Sequence, residues 1–341
     1  MEVFSSEIPE FPQFKELSLN DKPLFDTVFQ QFPPSSSELT FTNLFIWRHT
    51  YKTQVTRYKK FVCLLSEKIE DPFFFPMIGE GDVIECLLTL LHYLEEKGRT
   101  PTMARVPREI ISRIDGKGPG LAVKPDRDQS DYVYLVEDLA TLKGRKYHRK
   151  RNHIKQFKEK YSYRYVPLTS ERISECLELQ DNWCDLRNCE AIPSLANEAL
   201  AVKEALTHFE ALGMKGGAVL INGKVEAFTL GEALNPETVV IHIEKTNPAY
   251  ERLYPTINQA FLEQEWSGYT YVNREQDMGE EGLRKAKKSY FPHHMVDKYS
   301  VTLAGWTGKE SEDGREKEME SQNLHHRAQD FSDNEGTGDS G

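Results

Sequence analysis

The sequence has no apolar run that approaches the roughly 18 residues needed to span a bilayer as a helix. Residues 1–11 are acidic and interrupted by proline, so they lack the basic and apolar regions of a signal peptide. We therefore expect a cytoplasmic protein without a transmembrane segment. If its substrate is a lipid, the protein must visit the membrane rather than reside in it.

Cysteine is scarce, because the chain has five, an odd number, and none of them forms a C-x-x-C pair. No group of histidines accompanies them at the spacing of a zinc site. We therefore predict no metal site. We expect reduced thiols in a reducing compartment at Cys63, Cys86, Cys176, Cys184 and Cys189.

Aliphatic residues almost disappear from position 306 onwards, where ten acidic residues accompany four basic ones. Such a segment cannot bury apolar surface, so residues 305–341 are predicted to form a disordered acidic tail. The whole chain carries a net charge of −11, and without the tail it is closer to neutral. This charge excludes a bulk nucleic-acid coat protein but leaves room for a local basic patch.

Hydrophobic periodicity predicts the same order of elements, β-α-α-β-β-β-α-β-α-β, in both halves of the chain. Asn222-Gly223 marks a hairpin, Gly213 ends a helix and Ser170 caps another, while Ser194 or Asn197 caps a third. We therefore predict an α/β (α+β) fold of two similar domains, residues 1–141 and 161–304, each a mixed central sheet flanked by helices. The predicted strands are 14–17, 53–57, 61–65, 73–77, 102–106 and 132–136, then 163–168, 217–221, 225–231, 238–244, 269–273 and 295–303.

The most specific pattern lies near the end of the second half. It reads YVNREQDMG at 271–279, EGLRKAK at 281–287 and YFP at 290–292. This stretch resembles the soluble catalytic domain of bacterial phosphatidylglycerol lysyltransferases, and in particular stand-alone proteins that lack the membrane half. The element order is similar to that of tandem GNAT acyltransferase folds, to which the Fem-type aminoacyltransferases of peptidoglycan synthesis are related.

The resemblance implies transfer of an activated acyl group to a hydroxyl or amine, and often of an aminoacyl group from a tRNA. It covers the architecture of residues 17–303, and it is specific in sequence over 273–292 and, more loosely, over 216–232. The acceptor implied by the family is a lipid such as phosphatidylglycerol. Function belongs to a site rather than to a fold, so the resemblance does not fix the substrate.

The loop after the strand at 269–273 supplies the predicted catalytic residues Glu275, Asp277 and Arg284. A carboxylate here would bind the ammonium of an aminoacyl group or act as a base, and Arg284 with Lys287 would share a helix face and hold one phosphate. Glycines permit unusual backbone angles, and amides at the helix start would hold an oxyanion. The predicted substrate-binding residues of this region are Asn273, Gly279, Gly282, Lys287 and Tyr290. The alternative is a capped loop with a solvated basic helix.

A second group lies at strand ends of the predicted sheet. Glu232 and Glu244 each end a strand, and His242 precedes Glu244 by two residues, on the same face. Ligands bind beyond strand ends in open sheets, so these glutamates are predicted to bind substrate, with His242 relaying a proton. The alternative, which we favour for His242, is a hydrogen-bonded core histidine with the glutamates as rim charges.

The turn at 245–254 departs from the pattern of a GNAT enzyme that uses coenzyme A. Such enzymes place a glycine-rich turn after the fourth strand, whereas this turn has no glycine and Pro248 removes a donor. No firm cofactor is therefore predicted, and aminoacyl-tRNA is the expected donor. An acyl-CoA-dependent N-acyltransferase and a ligand-binding module without catalysis remain as alternatives.

Residues 142–160 connect the two domains and hold nine Lys or Arg, two His and one Glu. This density of positive charge indicates contact with tRNA phosphates or with anionic membrane lipid, and the alternative is an exposed helix with a solvated basic face. The predicted contact residues are Arg145, Lys146, Arg149, Lys150 and Arg151. The sequence does not indicate the acyl group, the acceptor or the oligomeric state.

Overall fold

The computed structural model describes residues 8–68, 72–116, 118 and 120–306. The predicted disordered tail therefore lies outside the described residues, apart from its first two positions. The first half holds β1 Lys15–Glu16, α1 Lys22–Gln31, α2 Phe41–Ile46, α3 Arg48–Tyr51, β2 Thr53–Tyr58, β3 Phe61–Ser66, β4 Phe73–Phe74, β5 Ile78–Gly79, α4 Val83–Glu96, β6 Thr102–Pro107, α5 Arg108–Ile114 and β7 Leu121–Leu135.

Two helices, α6 Val136–Thr141 and α7 His148–Lys160, lead into the second half. The predicted basic connection is thus largely helical. The second half then holds β8 Tyr163–Pro167, α8 Ile173–Arg187, α9 Pro193–Thr207, α10 Phe209–Leu212, β9 Lys215–Ile221, β10 Lys224–Asn235, β11 Thr238–Thr246, α11 Leu253–Glu265, β12 Tyr271–Asn273, α12 Glu281–Lys288 and β13 His294–Leu303.

The strands form one mixed sheet that runs through both halves. Its order is β1-β2-β3-β4-β6-β13-β7-β12-β11-β10-β9-β8, with β5 paired to β3. The last strand of each half lies beside the penultimate strand of the other, since β13 pairs with β6 and β7 pairs with β12. This symmetric order is what two similar units with exchanged last strands produce. The predicted fold class, a mixed sheet flanked by helices, is confirmed.

The hydrophobic core also crosses between the halves. Phe41 and Phe45 of α2 belong to the same cluster as Leu206 and Phe209 from the second half. The division of the chain at 141 and 161 stays a prediction, because neither the sheet nor this cluster stops there. The shared sheet matters for function, since it brings side chains of the first half to the loop after β12.

Local sequence signals explain several boundaries. Asn222 and Gly223 adopt φ 52° and 84°, the left-handed geometry of the two-residue hairpin predicted from the sequence. Gly213 ends α10 with φ 71°, as predicted. The predicted caps Ser194 and Asn197 are wrong, because α9 begins earlier, at Pro193, whose fixed φ suits a first helical position.

The cysteines require one correction. Cys184 and Cys189 form a disulfide that closes the turn between α8 and α9, so the prediction of five reduced thiols is wrong for this pair. Cys189 follows Cys184 by five positions, a spacing outside the C-x-x-C pattern that we sought. Cys63, Cys86 and Cys176 are free and buried. Among the described residues, none of the helices has the length and apolar content that crossing a bilayer requires.

Candidate functional site

The loop after β12 is held by Asn273, whose side chain is fully buried. The amide of Asn273 donates to Asp131 Oδ2 at 2.9 Å, and its Oδ1 accepts the backbone N–H of Glu275 at 2.7 Å. Glu275 adopts a left-handed φ of 58°, which is uncommon for a residue with a side chain. The predicted binding residue Asn273 therefore fixes the loop that carries Glu275.

Asp277 lies at the buried end of this loop. Its carboxylate accepts hydrogen bonds from Tyr132 Oη at 2.5 Å, from Arg284 Nε and Nη2 at 2.9 and 2.8 Å, and from the Gly279 amide at 3.0 Å. Burial alone would raise its pKa, but the bonds from Arg284 and Tyr132 hold the pKa of Asp277 well below its usual range. A carboxylate held this firmly in the ionised state is a poor proton acceptor at neutral pH.

Arg284 extends from α12 between two carboxylates. Its guanidinium contacts Asp128 Oδ1 at 2.6 Å in addition to Asp277, and these bonds raise its pKa. Gly279 has φ 80°, and an added Cβ there would lie 3.1 Å from Asp128 Oδ2. Gly282 instead lies within the first turn of α12, so it supplies no left-handed turn. Arg284 thus engages protein carboxylates, and its predicted role toward phosphate stays a prediction.

Glu275 and Glu232 are joined by one histidine. His242 Nδ1 lies 2.8 Å from Glu275 Oε1, and its Nε2 lies 2.9 Å from Glu232 Oε1. The His242 side chain is 1% exposed, whereas the Glu232 and Glu275 side chains are 15% and 19% exposed. Burial alone would lower the pKa of His242, but the hydrogen bonds to Glu232 and Glu275 raise it to about 9. We call these three residues the carboxylate–imidazolium cluster.

The remaining glutamate of the predicted second group has different partners. Glu244 accepts from Arg274 Nη2 and from Asn258 Nδ2, each at 3.1 Å. The structure therefore brings Glu232 to the loop through His242 and brings Glu244 to the loop through Arg274. The predicted face shared by His242 and Glu244 does not produce a contact between them, because each side chain bonds to a different residue of the loop.

Lys287 lies under the loop and points at its backbone. Its ammonium donates to the carbonyl oxygens of Arg274 and Glu275. Burial, followed by repulsion from the Arg274 guanidinium, lowers the pKa of Lys287 to about 8. Tyr290 closes this corner, with its ring 4.9 Å from the Arg274 guanidinium carbon and its backbone carbonyl bonded to Tyr147.

A groove of about 270 Å³ opens beside Glu232. It lies between α1 and the β10–β11 hairpin, so one wall comes from each half of the chain. Its apolar walls include Leu39, Phe41 and Leu234, and Asp26 and Glu232 supply carboxylates. The groove can therefore take a ligand that has an apolar body and a positive charge.

Residues 29–302 match the model of a family described as phosphatidylglycerol lysyltransferase, C-terminal. The chain belongs to this family. A conserved protein of unknown function from Bacteroides thetaiotaomicron is 36% identical, with a TM-score of 0.80 over 85% of this chain and 99% of that one. Among curated proteins, no match is found.

Two more distant structures show the fold alone. The C-terminal domain of a putative lysylphosphatidylglycerol synthetase from Agrobacterium fabrum is 13% identical, with a TM-score of 0.61 over 90% of this chain and 97% of that one. L-PGS from Bacillus licheniformis is also 13% identical, with a TM-score of 0.60 over 88% and 95%. The lysyltransferase C-terminal family thus shares this architecture at low identity, and the resemblance stated from residues 271–292 is confirmed.

In this family member, the basic connection forms α7 and the turn before it. Tyr147, Ile154 and Phe157 are buried, while most of the charged side chains face outward. Lys146 pairs with Asp138 at 3.0 Å and Arg151 donates to the carbonyls of Leu142 and Gly144. The other predicted contact residues, Arg145, Arg149 and Lys150, lie on the same segment. Arg151, Lys155 and Lys158 line a groove of about 340 Å³ between α7 and α11.

Sequence reasoning missed the residues of the first half that hold the site. Asp131 accepts from Asn273 and from Lys298 Nζ, the latter at 2.6 Å, and Lys298 also contacts Glu38 at 2.6 Å. Asn43 Nδ2 donates to Glu275 Oε1 at 3.1 Å. One signal was available, since Lys298 lies in the middle of a predicted strand, where a charge that becomes buried needs a buried partner.

Proposed function

We propose that this protein transfers an aminoacyl group from aminoacyl-tRNA to a hydroxyl or amine acceptor. Family membership supports acyl transfer, and one observation supports the aminoacyl group. Within the described residues, Oε2 of Glu232 and Oε2 of Glu275 have no hydrogen-bond partner, and neither atom is buried. Two open carboxylate oxygens on either side of a covered imidazolium form a receptor for an ammonium group.

The charge of the cluster suits a monocation. With His242 protonated, the two carboxylates and the imidazolium carry a net charge of −1. An aminoacyl ester carries its positive charge on the α-ammonium, whose three N–H donors match carboxylate acceptors. The side chain of the acyl group would lie along Leu39, Phe41 and Leu234 in the adjacent groove. Acetyl and other uncharged acyl groups would leave the Oε2 atoms of both glutamates without a partner.

The reaction needs positioning and one proton transfer. The acceptor oxygen or nitrogen bonds to the acyl carbon, the ester bond to the tRNA ribose breaks, and the proton of the acceptor moves to the departing ribose oxygen. No residue is assigned to this proton, because the ammonium of Lys287 in α12, whose pKa is lowered to about 8, donates to backbone carbonyls beneath the loop. Holding an activated ester beside its acceptor supplies much of the rate increase.

The tRNA would lie against α7 and the turn before it. Arg151, Lys155 and Lys158 recur at helical spacing along one groove, which suits successive phosphates of a nucleic-acid backbone. An anionic membrane is the other partner predicted for this segment. Residues 142–160 expose no large apolar side chain that could enter a bilayer, so the charge pattern favours the nucleic acid.

Coenzyme A has less support as the donor. The structure begins α11 at Leu253, which is buried, and places Pro255 in its first turn, where it contributes no N–H. A pyrophosphate needs several free amides at this helix end. We therefore keep acyl-CoA as an outcome to test rather than as a second proposal.

A direct transfer assay tests the proposed function. The purified protein is incubated with a mixture of ¹⁴C-aminoacyl-tRNAs and either phosphatidylglycerol vesicles or a soluble amine, and labelled product is separated by thin-layer chromatography. We expect product with the wild type and a loss of at least tenfold in Glu275→Gln and Glu232→Gln, since each removes one carboxylate. Glu237→Gln, at an exposed position in the β10–β11 hairpin, is the matched control.

Native mass spectrometry identifies the donor independently. Protein purified from its own host should retain an RNA that is lost on RNase treatment and in a variant carrying Arg151→Glu, Lys155→Glu and Lys158→Glu. Retention of a coenzyme A species instead would overturn the choice of donor. Absence of label transfer from every aminoacyl-tRNA, with a correctly folded protein, would contradict the aminoacyl proposal itself.

A further inference from the structure

His242 makes two hydrogen bonds that only a doubly protonated ring can make well. Each ring nitrogen faces a carboxylate oxygen, at 2.8 Å to Glu275 and at 2.9 Å to Glu232. A neutral imidazole donates from one nitrogen only, so its other lone pair would face a carboxylate. The ring is covered by protein, with 1% of its side chain exposed. A core histidine that merely fills space would need one such partner at most.

The two carboxylates come from different elements. Glu232 belongs to β10, and Glu275 lies in the loop after β12, where the Asn43 amide and the Asn273 side chain also hold it. Without a cation between them, two carboxylates on either side of one ring repel each other. The imidazolium engages Oε1 of both residues, which leaves both Oε2 atoms available, and neither of these atoms is buried.

We propose that His242 is a positioning residue, whose imidazolium holds Glu232 and Glu275 at a fixed separation so that their outer oxygens act as one receptor for an ammonium group. The inference rests on the proposed function, because the ammonium is that of the aminoacyl donor. It goes beyond that function by assigning the geometry of the receptor to a residue that does not itself touch the ligand.

The other charges near the cluster compensate one another. Glu244, two residues along β11, is paired with Arg274 at 3.1 Å. Lys287 of α12 binds the backbone carbonyls of Arg274 and Glu275, so it approaches the cluster from the opposite side of the loop. Asp26 of α1, which lines the groove beside Glu232, is paired with Lys22 at 2.7 Å. The unbalanced negative charge at the solvent-facing side therefore comes from Glu232 and Glu275, and the charge of His242 reduces it to −1.

The first measurement is binding of L-alaninamide, a stable compound with the α-ammonium of an aminoacyl ester. Titration near pH 6.5 keeps this amine protonated, and protein NMR or calorimetry reports the affinity without any transfer reaction. We expect His242→Gln to weaken binding by about tenfold or more, since the carboxylates lose their common anchor. His92→Gln is the control, because His92 makes a single exposed contact with Glu95 at 2.9 Å.

A double variant separates positioning from simple packing. His242→Gln leaves two adjacent carboxylates, so it should lower the melting temperature, and adding Glu232→Gln should restore much of the loss by removing the repulsion. The double variant should still bind L-alaninamide weakly, because the receptor has lost one carboxylate. A histidine that acted only by packing would give no such restoration. Ring ¹⁵N spectra of the wild type should show His242 doubly protonated at pH 7.

The outcomes distinguish this inference from the proposed function. If the wild type binds L-alaninamide but transfers nothing from aminoacyl-tRNA, the function fails and the receptor stands. If His242→Gln binds as tightly as the wild type, or if the ring is singly protonated at pH 7, the positioning role is overturned. If the wild type does not bind L-alaninamide at all, the receptor assignment is overturned as well.

Discussion

Replacement of Lys298 by methionine should destabilise the protein strongly, because the lysine is the central cation of a buried ionic cluster. Its Nζ lies 2.6 Å from both carboxylate oxygens of Glu38 and 2.6 Å from Asp131 Oδ1. The Lys298 and Asp131 side chains are 0% exposed and that of Glu38 is 3% exposed. Removing one partner of a buried ion pair costs about 3–5 kcal/mol, since a charge is left without compensation.

Urea denaturation measures this loss as a change in the free energy of unfolding. Lys124→Met is the matched control, because Lys124 is exposed on β7 directly opposite Ser300 of β13 and should change stability by less than about 0.5 kcal/mol. Adding Glu38→Gln to Lys298→Met should recover part of the loss, since burial raises the pKa of Glu38 and the substitution removes a buried carboxylate that has lost its lysine. A cost for Lys298→Met that equals the control would refute the reasoning.

Three further predictions concern the loop after β12 and the histidine that contacts it. Asp277→Asn should lower the free energy of unfolding, measured by urea denaturation, by about 2–3 kcal/mol, because it weakens the hydrogen bonds from Tyr132 and Arg284. Asp128→Asn, at an exposed position, should lower it by less than about 1 kcal/mol. Equal losses in the two variants would contradict this prediction. Gly279→Ala should cost about 1 kcal/mol, since φ is 80° there, and Gly268→Ala, which has open space, serves as control. Raising the pH from 6 to 8 should lower the free energy of unfolding of the wild type by about 2 kcal/mol. The His242→Gln variant should not show this decrease.

The sign of the pH effect follows from the pKa of His242. The folded value is raised to about 9 from an ordinary 6.5, so protonation stabilises the folded state fully below pH 6.5 and the contribution disappears as the pH approaches 9. Lys287 acts oppositely, because its folded pKa is lowered to about 8 and its cost is relieved only above that pH. The difference between the wild type and His242→Gln over pH 6 to 8 therefore reports the contribution of His242.

Local patterns predicted most of the elements but not how they pair. The Asn222-Gly223 turn and the end of α10 at Gly213 depend on neighbouring residues, and both are found. The pairing of β13 with β6 joins residues far apart in the sequence, and no local propensity encodes it. The same limit applies to the site, since Asn273 and Glu275 were found from their own segment while Asp131 and Asn43 were not.

The sequence pattern predicts the strand face on which His242 lies but not the residues that it contacts. An alternating strand places His242 and Glu244 on one face, and the structure agrees that both lie near the loop. Which residue of the loop each side chain meets depends on how β11 and β12 diverge beyond Val240 and Asn273, their last paired residues. A divergence of this kind cannot be predicted from the strand period alone.

The charged groups around the loop fall into two physical classes, and this division supports the placement of the site. Asp131, Asp277 and Lys298 are fully buried, and each has protein partners at hydrogen-bond distance. Such groups hold a structure in place, and their loss appears as instability. Glu232 and Glu275 each hold His242 through one oxygen and keep a second oxygen without a protein partner in the described part of the chain, and this second oxygen is open to a ligand. Variants of the first class should therefore lower stability most. Neutral variants of the second class should lower amine binding, at the smaller cost in the free energy of unfolding of one weakened hydrogen bond to His242.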